Sequence, residues 1–547
     1  MNFDTSDVIE NTVQQSIMQF ALHNLEAVVA IDSCSDENST HVPSTEGQMQ
    51  LAQHLVKRFE ILGAQVQLDS YANVIAYYPG QGQGEKKDPL VFMVHLDTAM
   101  GTQALPCLNT HEQWDGSPLQ FSSADAPLVS LKIYPHLRHF LDQTLVYGSG
   151  KAPFGLDDKL GLTHLLSLAW LIQDQQISDY PPLYFVARPD EEIGRDDALI
   201  ALSEKLAQWG VKRGYTVDGI EPFEVNLANF NAAQFTYQFP CVLPANPSSP
   251  VDTQKLQQGI PIRLKIKGIN THGATAKVEG HRSALRFVCE LWHQFKAYKD
   301  QSIRYCDFIV DDACDCHAEC VIWTADLACA AYAKKVCQDL IQPHYDRGAR
   351  IDFTEYIAKD PSQTLMADTQ LESCLVALHT LMFEEPLSID DPMWAEDSSD
   401  WQGYTQPFTL LKTASQQWTL KFRVRDFSTS GLEQRIKRLI QWAQSITHLQ
   451  GESQWHHQYQ NMYTVLQKAP ELVRWAENAG HMIQQESKVL PIRGGTGIDP
   501  FLQHDILLAN LGTGYFAPES EKEFTSTQMM YLHALWLAEI VSQSACE

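Results

Sequence analysis

No stretch of this 547-residue chain approaches the ~18 consecutive apolar residues of a membrane-spanning helix. Met1–Gln15 also has neither a basic start nor an apolar core. A spanning helix and a secretory leader are therefore not expected, and the chain reads as cytoplasmic with no membrane partner. Basic residues are scarce as well. The 40 Lys and Arg face 67 Asp and Glu, a formal charge of −27, and no basic patch is interleaved with aromatics. That balance excludes unaided binding to nucleic acid or anionic lipid. Ligand-type cysteine spacing is missing too. Of the 12 cysteines, Cys34, Cys107, Cys241, Cys289, Cys374 and Cys546 are scattered as reduced thiols would be. Cys306, Cys314, Cys316, His317 and Cys320 lie close together but match no common zinc knuckle, and read as reduced structural thiols.

The length is too great for one core and predicts two domains, one interrupting the other. The first two hundred residues alternate helix and strand signals, as in an α/β domain with a mostly parallel sheet. Thr45–Gln48 has the form of a capping box, after which Leu51, Leu55, Val56, Phe59 and Leu62 mark one helix face and Gly63 ends it. Residues 73–78, 90–94 and 183–187 read as strands, and Leu162, Leu165, Leu166 and Ala169 as a helix.

Three acidic clusters lie at the edges of these elements. His95 and Asp97 follow one strand, Asp157 and Asp158 precede a helix, and Asp190, Glu191 and Glu192 follow another strand. Ligands of open α/β sheets bind at such strand ends. A lone Asp-Asp or Glu-Glu pair is ordinarily solvated surface, and a lone His near a strand end is ordinarily structural. Three clusters in this order instead offer what a two-ion hydrolytic centre needs: a bridging carboxylate, terminal ligands and a base. His95 can bind an ion while Asp97, two residues along an extended segment, orients its ring. Of the adjacent Glu191 and Glu192, one can bind metal while the other acts as general acid/base.

These residues, with Val42–Gln48, Tyr215–Gly219, Asn229–Ala233, His272–Lys277, Arg425–Phe427 and Ile492–Thr496, carry a resemblance to the di-zinc exopeptidases and amidohydrolases, and within them to the peptidase T branch. It covers roughly residues 1–290 and 415–547. The resemblance implies a zinc-exopeptidase-type catalytic domain at 1–218 and 447–547, interrupted at 219–446 by an α+β lid of the dimerisation type. It implies two divalent ions, zinc first, with manganese or cobalt as alternatives. His95 and Asp218 would bind the first ion, Asp157 would bridge, and Glu192 would bind the second. Glu191 would be the general base for a metal-activated water, Asp97 would hold His95, and His272 of the lid would stabilise the oxyanion. Arg425 and Arg493 would grip carboxylate or carbonyl groups of a short peptide, their plainer reading being a surface or interdomain salt bridge.

Some positions depart from the family pattern. Glu519 stands where the family's last metal ligand is a histidine. Either a carboxylate takes its place in a harder, oxygen-rich set, or the second site is weak or lost and Glu519 is an exposed acid in the loop Glu519–Glu523. Arg188 stands where the family tends to have Thr, and Gly497-Ile498 where it has Asp-Gly.

Residues 263–267 and 418–425 alternate as strands, the second placing Arg425 on its polar face, and residues 284–295 form a helix face. An insertion at about 298–415 has its own strand, helix and strand signals at 319–323, 326–341 and 350–356, as a second lid-like unit would. The implied activity is tripeptide aminopeptidase-like. A dipeptidase of the β-alanyl or Xaa-His kind, an N-acyl amino acid amidohydrolase, and a non-catalytic descendant that lost its site at Glu519 are the alternatives. A homodimer through the lid, or an enlarged lid supplying His272 within one chain, are the two arrangements the resemblance admits.

Overall fold

Runs of Val, Leu, Phe and Met with no polar alternation become strands covered on both faces, as parallel sheets require. Leu90–His95 is buried throughout, and Leu183–Arg188 nearly so. The computed structural model describes residues 5–241, 259–269, 272–298, 302–310, 316–356, 367–384 and 392–547, with side chains from residue 12.

The chain divides into two units, Met1–Asn229 with Asn461–Glu547, and Phe230–Gln460. The crossings fall later than residues 218 and 447 because the Glu224–Ala228 strand still pairs within the first unit's sheet and the Glu452–Tyr459 strand pairs with Asn231–Pro240 in the second.

That sheet has eight strands. In spatial order they are Gln65–Leu68, Val74–Tyr78, Leu183–Arg188, Leu90–His95, Arg213–Gly219, Leu507–Gly512, Glu224–Ala228 and Lys488–Pro491. Leu90–His95 runs parallel to both of its neighbours, and Arg213–Gly219 runs parallel to Leu507–Gly512. Side chains alternate across the sheet. Val91, Met93 and Val186 enter a core with Leu202, Leu206, Phe501 and Leu508, while Phe92 faces Phe185 and Tyr215. The helices Thr5–Val29, Leu156–Gln173 and Thr527–Cys546 pack on one another. Glu46–Ile61 starts at Thr45 as the sequence indicates, but the capping box does not form. Gln48 instead donates to Ser44 and Asp190, because a fully buried carboxylate there requires donors.

The second unit holds two four-stranded antiparallel sheets. One orders Ile303–Val310, His317–Thr324, Ile260–Lys267 and Arg350–Glu355; the other orders Tyr404–Lys412, Gln417–Asp426, Asn231–Pro240 and Glu452–Tyr459. Residues 298–415 do not form a unit of their own. Their strands pair around Ile260–Lys267, and their side chains share one core with Phe235, Phe422 and Leu439.

The eleven described cysteines are all free thiols, and Cys314 lies outside the described residues. No helix among the described residues is long and apolar enough to cross a membrane.

Candidate metal centre

Because Leu90–His95, Leu183–Arg188 and Arg213–Gly219 run parallel, their C-terminal ends share one edge of the sheet. His95 ends the first strand, Asp190–Glu192 follow the second, and Asp218 sits at the end of the third. Asp157 and Asp158 reach the same place from non-helical backbone at the start of the Leu156–Gln173 helix. Glu519 arrives from the loop after Leu507–Gly512, in left-handed backbone at φ 54°.

His95 is buried. Its Nδ1 lies 2.9 Å from the carbonyl oxygen of Asp97 and 3.5 Å from the Asp97 carboxylate, so its Nε2 faces away. That nitrogen lies 2.9 Å from Asp157 Oδ1 and 3.4 Å from Asp218 Oδ1. His95, Asp157 and Asp218 offer ligand atoms within 4.8 Å of one another; so do Asp157, Glu192 and Glu519, and Asp157 is common to the two groups. Asp97 accepts the Glu191 and Glu192 N–H groups at 2.9 and 3.0 Å, which joins the first cluster to the third. Glu191 belongs to neither ligand group and takes a 3.2 Å contact from Arg188 Nη2. Gly497 lies against the same pair. A side chain there would run into the Arg188 guanidinium and come within 3.3 Å of Glu191 Oε1, and the φ of 58° also suits glycine. The two smaller family departures, at positions 188 and 497, therefore meet at Glu191.

The electrostatics are those of a site made for cations. Burial, then Glu519 and Asp157, pushes the Glu192 carboxyl well above its ordinary pKa. Glu192 Oε1 is buried with no hydrogen-bond partner. Burial and the Asp218 charge raise Asp157. Burial would lower His95, but Asp218, Asp157 and Asp97 outweigh it and hold the imidazole well above its usual value. Asp157, Asp218, Glu192 and Glu519 crowd four carboxylates around one imidazole, an arrangement that added positive charge would relieve, and a buried unpartnered oxygen is costly. The donor set, one nitrogen and otherwise oxygens sharing one carboxylate, fits two divalent ions.

Several residues behind the ligands carried no sequence signal of their role. Tyr515 donates to Asp157 Oδ2 at 3.1 Å. Glu523 Oε2 accepts the N–H groups of Phe154 and Gly155 at 3.0 Å and of Leu156 at 3.4 Å, which fixes the backbone just before Asp157. Its pKa is raised by burial to about 8. Asp158 accepts from the His95 N–H and the Gly161 N–H. Asp190, fully buried, accepts from Ser44 and Gln48. Ser520–Glu523 is buried, so the reading of Glu519–Glu523 as an exposed acidic loop is corrected: the Glu523 contacts draw it inside.

Arg493, also in the first unit, is buried just beyond the Lys488–Pro491 strand. His272 and Arg425 belong to the second unit. His272 is half-buried, and its Nδ1 lies 3.3 Å from the Ala274 N–H. Arg425 was expected on a polar strand face but is buried: its Nη1 donates to the Ala233 and Val424 carbonyls and its guanidinium lies over the Tyr459 ring. None of the ligand groups found among the described residues contains a cysteine.

No protein-family model matches the chain. Among curated proteins it is 30% identical to peptidase T of Geobacillus thermodenitrificans over 272 residues, 48% of this chain and 57% of that protein. It is 33% identical to peptidase T of Listeria welshimeri over 211 residues, 38% of this chain and 49% of that one. Over up to about half of its length, the chain is similar in sequence to peptidase T. It spans about half the length of the peptidase T proteins it matches. Among solved structures, the aminopeptidase PepT of Bacillus cereus aligns with 96% of this chain and 99% of its own at TM-score 0.49 and 13% identity. The aminoacylhistidine dipeptidase of Vibrio alginolyticus aligns with 95% and 96% at TM-score 0.48 and 15% identity.

Proposed function

We propose that this peptidase T relative is a metal-dependent exopeptidase that trims short peptides, with tripeptides as its first substrate class. The observation that carries the reading is the pair of three-ligand groups joined by Asp157. His95, Asp157 and Asp218 would hold one divalent ion, and Asp157, Glu192 and Glu519 the other, with zinc the first candidate and manganese or cobalt suited to the oxygen-rich half. Ions bound there would supply Lewis acidity and a water of lowered pKa.

The protein groups divide the remaining work. Glu191, adjacent to a ligand yet outside both groups, would accept the proton of the attacking water at its carboxylate and deliver it to the leaving amine. Its N–H is fixed by Asp97, and Arg188 holds its carboxylate oxygen, so the base is aimed from two sides. Asp97 would keep Nε2 of His95 turned towards the ligands. Tyr515 and Glu523 would hold the shared carboxylate and its backbone in place. By the resemblance, Arg493 of the first unit would grip a carboxylate or carbonyl group of the substrate.

The test is hydrolysis of a panel of dipeptides, tripeptides and N-acyl amino acids before and after chelation, with zinc, manganese or cobalt restored. Release of the N-terminal residue from tripeptides, lost on chelation and regained with metal, is the expected result. Turnover of dipeptides alone or of N-acyl substrates alone would move the activity to the corresponding alternative. No turnover with any ion would overturn the enzyme reading.

A further inference from the structure

The second unit carries a set of ligand-type side chains that the peptidase reading does not use. We propose that His293, His379 and Glu384 form a further divalent-cation site, suited to a borderline transition ion such as zinc.

The three residues come from two helices and a turn. His293 lies on the Ala284–Tyr298 helix, His379 ends the Thr369–His379 helix, and Glu384 ends the π-helical turn Thr380–Glu384 that continues it. Their ligand atoms lie within 4.8 Å of one another. His379 Nδ1 meets Glu384 Oε1 at 3.0 Å, and His293 Nδ1 lies 4.0 Å from the same oxygen. The second distance is too long for a hydrogen bond. The two bracket the roughly 3.3 Å between donor atoms that a tetrahedral ion imposes at metal–ligand distances of about 2.0–2.1 Å.

The backbone explains how the set forms. In an α-helix, residues five apart point to different sides, whereas the wider π turn carries the fifth residue back beneath the first. Glu384 thereby returns to face His379. Thr380 Oγ1 donates to Glu384 Oε2 at 3.2 Å, so one carboxylate oxygen is tied back while the other faces the rings. The rings stack at 4.1 Å with 8° between their planes. Both helices are anchored by core residues, Val288, Leu291 and Trp292 on one and Leu371, Leu375 and Leu378 on the other. An ion here would tie the two helices together, with a position left for water because the protein supplies three ligands.

The site does not depend on the exopeptidase reading, and its test separates the two. The parent protein, Asp157→Ala, His379→Ala, His293→Gln and the Asp157→Ala/His379→Ala double variant are stripped of metal and dialysed against zinc alone. Zinc per chain is then counted by mass spectrometry. Each histidine variant should hold one zinc fewer than the parent, and peptide hydrolysis should be unchanged. Asp157→Ala should still hold one zinc, and the double variant none. Zinc should also raise the melting temperature of the parent more than that of His293→Gln, a change on an exposed helix face. Equal zinc content in the parent and both single histidine variants would overturn the proposal, whatever the Asp157 variant shows.

Discussion

The two halves of the acidic centre differ in what they can do without a cation. The His95 half pairs an imidazole with Asp157 and Asp218, and a protonated ring can balance part of that charge. The Glu519 half offers oxygens alone, from Asp157, Glu192 and Glu519, and contains the buried, unpartnered Glu192 Oε1. Its neutrality depends either on protons, which the raised Glu192 pKa reflects, or on a bound ion. The nitrogen-bearing half therefore suits zinc, and the oxygen-only half admits harder ions.

Removing the shared ligand tests whether the halves are joined at all. Asp157→Ala should lower the metal content by two ions and reduce hydrolysis to background; loss of only one ion would mean that the carboxylate is not shared. Glu191→Ala should leave both ions in place while kcat falls by about 10²–10⁴-fold, the usual worth of a general acid–base group. Metal loss in that variant would make Glu191 a ligand instead. Glu519→Ala acts on one half only, and one ion fewer is expected in metal analysis. Glu519→His should restore that ion and shift the preference from manganese towards zinc, and an unchanged count in Glu519→Ala would place the ligand elsewhere.

The smallest effect comes from a buried acid in the same unit that belongs to neither ligand group. Burial, then Glu221, raises Glu224 from 4.5 to about 7. The native protein thus retains a proton that the unfolded chain releases between these values, and the stability from the neutral acid, complete below pH 4.5, is lost as the pH rises through about 7. Glu224→Gln keeps an acceptor for the Ile220 and Glu221 N–H groups. It should match the parent in urea unfolding near pH 5 and exceed it by roughly 1–3 kcal/mol near pH 8. A difference independent of pH would show that Glu224 ionises normally.

The strands that bring the candidate ligands together were legible because buried parallel strands are short apolar runs; His95 directly follows one such run, and Glu191 and Glu192 come within a few residues of the end of another. The residues that hold the ligands were not. Tyr515 is 358 positions from Asp157, and Glu523 is 368 from Gly155, so no local periodicity links them. Gln48 shows the opposite failure: its spacing fits a local cap, but a distant buried carboxylate, Asp190, takes its donors. Arg425 lies in the alternating strand read from the sequence, yet backbone carbonyls and the Tyr459 ring bury it, because alternation says nothing of what covers a polar face.

The order of the chain has a consequence for how the protein is made. The first unit breaks off at Asn229 and resumes at Asn461, and Tyr515, Glu519 and Glu523 all lie in the part that resumes. A ribosome that has delivered His95, Asp157, Glu192 and Asp218 must still translate the whole second unit before the remaining ligand and its supports exist. Until then the nascent chain lacks Glu519 and the contacts that Tyr515 and Glu523 make around Asp157, so the full set of candidate ligands cannot come together before the second unit has been translated.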